Sequence, residues 1–256
     1  MRSFARTHAS AGVSEPRVMV VSSAPPSWKE LTAITSATHR KWCDTHGYKY
    51  HLDVSDISIP ASTPWVNEKV SGYTPLRTMV KFLLLAHYMD KESCREEYDY
   101  VVWLDADLVV SHSGLRATRW FAPDSWDSPS HDPEVVLAYD VNGLHPTVIM
   151  LRNTVTTRGL VWACNEAGNR MFVSHGWSDI MALRFFLETP PYRDLVRYIS
   201  AQQLCAMPPG IHPMPADVRA AYEWTPSSFA LHLSALSLDQ RIALASAFVK
   251  DFGLLP

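Results

Sequence analysis

Val101-Val102-Trp103-Leu104-Asp105-Ala106-Asp107-Leu108-Val109-Val110 sets two carboxylates two positions apart inside an otherwise apolar run. The residues before Asp105 read as a buried strand, with the aspartate where the strand ends. Side chains alternate along a strand, so residues 105 and 107 are expected to point the same way. No Lys or Arg adjoins them in the sequence, and two partly dehydrated carboxylates are costly without a cation. A divalent metal is the expected neutraliser, able in turn to hold a phosphate-bearing substrate. The competing reading is a pair of solvated loop aspartates after a core strand. Position favours the site, because ligands of open α/β sheets bind beyond the carboxyl ends of strands.

Around this run the chain reads as an alternating α/β protein. Arg17 to Ser23 is a β-branched run ending in Ser-Ser-Ala-Pro-Pro, a first strand and loop. From Ser27, a candidate N-cap, to His46, the residues Leu31, Ile34, Thr38 and Trp42 recur at helical spacing, and Gly47 is placed to stop the helix. Tyr48 to Val54 follows as a second strand, which makes a parallel βαβ unit. Ser55 to Gly72 is a polar connection, and Thr74 to Met89 a packed helix leading into the Asp105 strand. Val135 to Tyr139 and Thr147 to Arg152 are further strands, with Asp140 to Pro146 as a loop between them. Ser178 to Leu187 is a helix with Asp179 in its first turn, where a carboxylate suits the helix dipole. Phe229 to Leu233 is a short strand carrying His232, and Ser237-Leu238-Asp239-Gln240 has the form of a capping box opening a final helix to about Phe252.

Composition narrows the function classes. The 256 residues are 47% hydrophobic and 11% aromatic, enough for one sizeable core. Residues 17–256 are expected to form one domain, with residues 1–16 a loose tail. The formal net charge is -3 and the basic residues are scattered, so no nucleic-acid tract or polybasic membrane anchor is expected. No apolar run approaches the roughly 18 residues of a membrane helix, and residues 1–16 lack the apolar core of a secretory signal, so a cytoplasmic location is expected. Cys43, Cys94, Cys164 and Cys205 lie far apart without a C-x-x-C pair. Free thiols rather than a zinc site are expected.

The order of elements Tyr98 to Asp107, then Asp140-Val141-Asn142-Gly143 before Val148 to Asn153, then Asp179 before Ala182-Leu183, then His232 before Arg241 resembles glycosyltransferase family 34, the retaining α-galactosyl, α-mannosyl and α-xylosyl transferases. His46-Gly47-Tyr48 is similar to that family's N-terminal segment, and the likeness covers roughly residues 17 to 250. It implies a single-domain GT-A fold, a nucleotide-binding architecture with a mostly parallel central sheet flanked by helices. It also implies Mn2+, or Mg2+, and a nucleotide-sugar donor, UDP- or GDP-linked. Three departures stand out: His145-Pro146-Thr147 where the family has Asn-Thr-Gly or Asn-Cys-Gly, Ile180-Met181 in place of Gln and Ser, and His232-Leu233-Ser234-Ala235 where His-Phe-x-Gly is expected.

The chemistry assigns roles. Breaking a sugar–phosphate bond leaves negative charge on the departing diphosphate, which a metal stabilises. Asp105, Asp107 and His232 are the expected metal ligands. Lys81 offers a cation to the phosphate or leaving group, with Arg77 one helical turn away, although an ordinary solvated helix face fits the pair equally. Asp140 and Asn142 are expected to bind sugar hydroxyls, although Asp-x-Asn-Gly is also an ordinary turn. Ser22, Ser23, Asp105, Ala106, Gly143 and His145 complete the expected donor contacts. Asp179 is the carboxylate expected at the face where the acceptor attacks, with helix capping as its competing explanation. Catalysis is thus expected of Asp179 and Lys81, on a soluble acceptor such as an aminocyclitol or other natural-product intermediate of bacterial biosynthesis. Two rivals are a haloacid-dehalogenase-type phosphatase with a nucleophilic first Asp, and a nucleotide-sugar-binding module without turnover. Oligomeric state is not legible.

Overall fold

A computed structural model of the chain describes residues 15–54, 75–90, 92, 97–122, 132–140, 143–172, 177–211 and 215–255. All but the last two residues of the expected N-terminal tail lie outside these, as do Cys94 and Asn142. The strands β1 (Val18–Ser23), β2 (Lys49–Asp53), β3 (Tyr100–Leu104), β5 (Val135–Asp140), β6 (Gly143–Arg152) and β7 (Val196–Ser200) form one sheet in the order β2-β1-β3-β6-β5-β7. Only β6 runs against the others. A second sheet pairs β4 (Leu108–Val110) with β8 (Ala230–His232). The architecture is the mixed, mostly parallel α/β sheet flanked by helices that the sequence implies.

Burial follows the strand period. Val18, Val20, Val102, Leu104, Val136 and Met150 line one face with Trp42 and Phe229. Met19, Val21, Val101, Trp103, Leu137 and Ile149 line the other. Helices α2 (Pro75–Met89), α3 (Val155–Arg170) and α4 (Ser178–Leu187) cover that second face with Phe82, Leu160, Leu183 and neighbours. Strands sandwiched in this way must be apolar on both sides, which is why β1 and β3 read as continuous hydrophobic runs. Helix α1 (Lys29–His46) and the final helix α5 (Leu238–Asp251) close over β4 and β8 through Leu31, Val109, Leu231, Ala245 and Phe248.

Local chemistry sets most boundaries. Gly47 ends α1 with φ 70°, a left-handed conformation that glycine adopts without a Cβ penalty, and its N–H bonds Cys43 O. The expected N-cap at Ser27 does not form. Pro26–Trp28 is a short 3-10 turn and Trp28 precedes α1 without a side-chain cap, because two prolines at Pro25 and Pro26 pre-set the entry. The capping box at Ser237 and Gln240 does form, with both reciprocal bonds. The expected loop from Asp140 to Pro146 is instead a hairpin: β6 begins at Gly143, which faces Asp140. A three-residue register shift follows, since Leu137 faces Ile149 and Ala138 faces His145. Pro146 lies in that bulge, where its missing N–H leaves no ladder bond unmade.

Candidate active site

Asp105 and Asp107 do not lie on one strand face. The backbone turns after Leu104, with Leu108 N–H bonding Asp105 O, and the turn rather than strand alternation brings the carboxylates together. Asp105 N–H is held by Thr147 O from the β6 bulge. Pairing of β4 with β8 sets Leu108 opposite His232, so a residue 125 positions away in sequence arrives beside Asp107. One ligand atom each from Asp105, Asp107 and His232 lies within 4.8 Å of the other two.

The chain itself supplies the cations whose absence from the local sequence pointed to a metal. Lys81, on α2, is buried with its Nζ 2.7 Å from Asp179 Oδ2 and 3.5 Å from Asp105 Oδ1, and it donates to Pro146 O at 3.2 Å. A solvated helix face is excluded for it. Arg241, on α5, places Nη1 2.8 Å from Asp107 Oδ2. The indole N–H of Trp103 donates to Asp105 Oδ1 at 2.6 Å. Each carboxylate of the pair therefore has one oxygen fixed by protein groups. Asp107 Oδ1 faces His232 Nε2 at 3.6 Å, and His232 Nδ1 is buried without a hydrogen-bond partner.

Electrostatics separate the two aspartates. Burial raises the Asp105 carboxyl above the usual range, and Lys81 offsets this only in part while the Asp107 charge adds to it. Burial would raise Asp107 too, but His232 and Arg241 outweigh it and hold that carboxyl low. Lys81 is pushed up despite its burial, because Asp105 and Asp179 both favour the ammonium. His145 packs edge-on against His232, with ring centroids 5.1 Å apart, and its Nδ1 lies 2.8 Å from Thr147 Oγ1. Burial first, then the neighbouring His232 and Lys81, lower its pKa to about 3, so His145 is a neutral ring at physiological pH.

Asp140 is buried at the end of β5, and Gly143, with φ 104°, opens β6 opposite it. Ala106 is buried and its carbonyl accepts from Thr35 Oγ1 at 2.7 Å. Ser22 and Ser23 end β1 but are engaged within the protein: Ser22 Oγ lies 3.3 Å from His39 Nδ1, and Ser23 Oγ donates to Asp53. Arg77 falls within α2, its side chain outside the described residues. Asp179 is in the first turn of α4 as expected and is buried against Lys81.

Sequence reading missed three groups. Arg241 entered only in the order of elements that carries the resemblance and was given no role, because its partner is 134 residues away. Trp103 read only as core, although its indole N–H needed a partner. His39 was silent inside α1: it is fully buried, its Nε2–H donates to Leu108 O at 2.7 Å, and burial lowers its pKa to about 4. Clefts of about 660 Å³, beside Tyr98 and Arg152, and about 520 Å³, beside Tyr139 and Tyr198, lie away from the carboxylate cluster. The free thiols Cys43, Cys164 and Cys205 are all buried, and no described helix is long and apolar enough to cross a membrane.

Solved structures share this fold. The chain aligns with a glycosyltransferase involved in the glycosylation of the major capsid of PBCV-1 at a TM-score of 0.65, with 10% identity, over 91% of this chain and 100% of that one. It aligns with the bifunctional glycosyltransferase WbbM at 0.53 and 12% identity, over 95% of this chain and 51% of that one. It aligns with galactosyltransferase LgtC, solved with donor and acceptor sugar analogues, at 0.50 and 12% identity, over 93% and 100%. No protein-family model and no curated protein sequence matches the chain. The likeness is one of fold, and that fold is the GT-A architecture.

Proposed function

We propose that this GT-A protein is a metal-dependent retaining glycosyltransferase of the family-34 type, moving a hexose or pentose from a UDP- or GDP-linked donor to a hydroxyl of a soluble acceptor. One observation carries the reading: Asp105 and Asp107 converge with His232, from the far end of the chain, beyond the carboxyl end of β3. Two carboxylate oxygens and an imidazole nitrogen suit Mn2+ or Mg2+, which accept hard oxygen donors and leave positions for a diphosphate. The described contacts fit such an ion, since one ligand atom each of Asp105, Asp107 and His232 lies within 4.8 Å of the other two and Asp107 Oδ1 faces His232 Nε2 at 3.6 Å. When bound, the metal would stabilise the charge developing on the departing diphosphate.

The protein's own groups perform the rest. Trp103 and Lys81 hold Asp105, and Arg241 holds Asp107, so the ligands are fixed before a donor arrives. Lys81 has its ammonium occupied by Asp179, Asp105 and the Pro146 carbonyl, which makes it a positioning residue for both carboxylates rather than a free cation for phosphate. Asp179, held at 2.7 Å by Lys81, is the carboxylate we assign to the reacting face, where it stabilises positive charge on the sugar or orients the acceptor hydroxyl. Asp140, Asn142, Gly143 and His145 are assigned to the sugar side of the donor.

The phosphatase alternative is disfavoured because Asp105 follows β3 rather than the first strand, where that class carries its nucleophile. A screen of nucleotide sugars for transfer and donor hydrolysis, with Mn2+ and with excess chelator, tests the proposal. Transfer that needs the metal, with the donor's anomeric configuration kept in the product by NMR, is expected. Full activity in chelator defeats the metal assignment, and an inverted product defeats retention. Binding without turnover of any donor would leave a binding module.

A further inference from the structure

Arg241 is held by three separate segments. Its Nη1 bonds Asp107 Oδ2 at 2.8 Å, its Nε donates to Leu236 O at 2.9 Å, and its guanidinium carbon lies 4.9 Å from the centroid of the Trp28 ring. The side chain is only 17% exposed. A planar guanidinium fixed on two hydrogen bonds and an indole face has little freedom to swing away. We propose that Arg241 is a positioning residue that sets the affinity of the Asp105, Asp107 and His232 site for a divalent cation, keeping it low in the absence of a diphosphate.

Two physical consequences support this, and both rest on the metal reading above. Asp107 has one oxygen committed to Arg241, so only Oδ1, the oxygen facing His232, is open to an ion. The ion then finds a one-oxygen ligand rather than a chelating carboxylate. Among the charged side chains in mutual contact, Asp105, Asp107 and Asp179 face Lys81 and Arg241. A single negative charge is left over, so a divalent ion alone leaves the cluster net positive, which an anionic diphosphate offsets. A cation at Asp107 Oδ1 would lie within a few ångströms of the Arg241 guanidinium, and like charges that close repel strongly in a dry site. Arg241 thereby repels an isolated cation while keeping the metal-free carboxylates folded.

The test uses Mn2+ alone as the probe, on the full chain, by calorimetry and by the resonance signal of unbound Mn2+. Arg241→Gln is expected to bind Mn2+ at least tenfold more tightly than wild type, while its metal-free form melts lower and gains more from added Mn2+. Arg241→Lys, which keeps the charge, is expected within about threefold of wild type. A purely structural arginine would lower stability and Mn2+ affinity together. That result, or unchanged Mn2+ affinity in the Gln variant, overturns the proposal. Should the Gln variant not fold, Arg241→Met, which removes the charge and keeps most of the stem, takes its place with the same expected tightening; no tightening overturns the proposal. Asp107→Asn separates the two levels of inference. Mn2+ binding that persists undiminished in that variant defeats the metal site itself, whereas binding lost there but unchanged in Arg241→Gln defeats only the role of Arg241.

Discussion

Replacing Lys81 by Met removes a buried cation that two carboxylates share. Lys81 and Asp179 are each 5% exposed, their charged atoms are 2.7 Å apart, and Asp105 Oδ1 is 3.5 Å from the same nitrogen. Breaking a buried pair by deleting one partner costs about 3 to 5 kcal/mol, because a charge is left without water or a counter-ion. Met fills most of the lysine stem's volume, so little of the loss comes from a cavity. For a chain of this size each kcal/mol lowers Tm by about 2 to 4 °C, which places the expected drop near 10 °C. The sign of the pH dependence follows from the same geometry. Without Lys81 the Asp105 carboxyl, already raised by burial, loses the cation that offsets that effect and rises further, so the folded variant takes up protons more readily than its unfolded chain. The deficit relative to wild type should therefore be greatest at pH 7.5 and shrink as the pH falls and that carboxyl protonates. Urea unfolding of Lys81→Met, Asp179→Asn and the double variant gives the coupling directly, with about 2 kcal/mol or more expected between them. A Lys81→Met variant within about 1 kcal/mol of wild type at pH 7.5, or a coupling near zero, would refute the account of Lys81 as the shared counter-ion.

Ala235 has φ 61° in the connection from β8 to α5, where the family resemblance expects glycine. Relief of left-handed strain, about 1 to 2 kcal/mol for a residue with a Cβ, outweighs the greater unfolded-state entropy of glycine. Ala235→Gly should thus raise the urea midpoint by about 0.5 to 1 kcal/mol of stability, and a lower midpoint would sink the argument. His39, with a folded pKa of about 4, stays neutral where an unfolded histidine charges. Its contribution is complete above about pH 6.5 and is lost toward pH 4, about 3 kcal/mol in all. His39→Gln should flatten the fall of unfolding free energy across that window, and an identical slope in both proteins would count against a neutral buried imidazole.

The sequence by itself determined the layered α/β plan and much of its detail. Continuous apolar runs in β1 and β3, helical spacing in α1 and α2, Gly47 as a stop and the Ser237–Gln240 box are all signals carried within a few residues, because strand period, helix period and caps are local physics. It also picked out Asp105, Asp107 and His232 as a set, through a resemblance in order that spans the chain. The direction of β6 and the length of its hairpin were not legible, since Asp140 to Pro146 carries turn residues whether or not its backbone pairs. Nor was the charge balance of the site. Asp105 and Asp107 read as unneutralised because Lys81 lies 24 residues before the first and Arg241 lies 134 after the second. Only the packing of α2 and α5 against the β3–β4 turn brings those cations within hydrogen-bonding reach. Coulomb interaction in a buried site depends on distance through space, and sequence separation carries no measure of it.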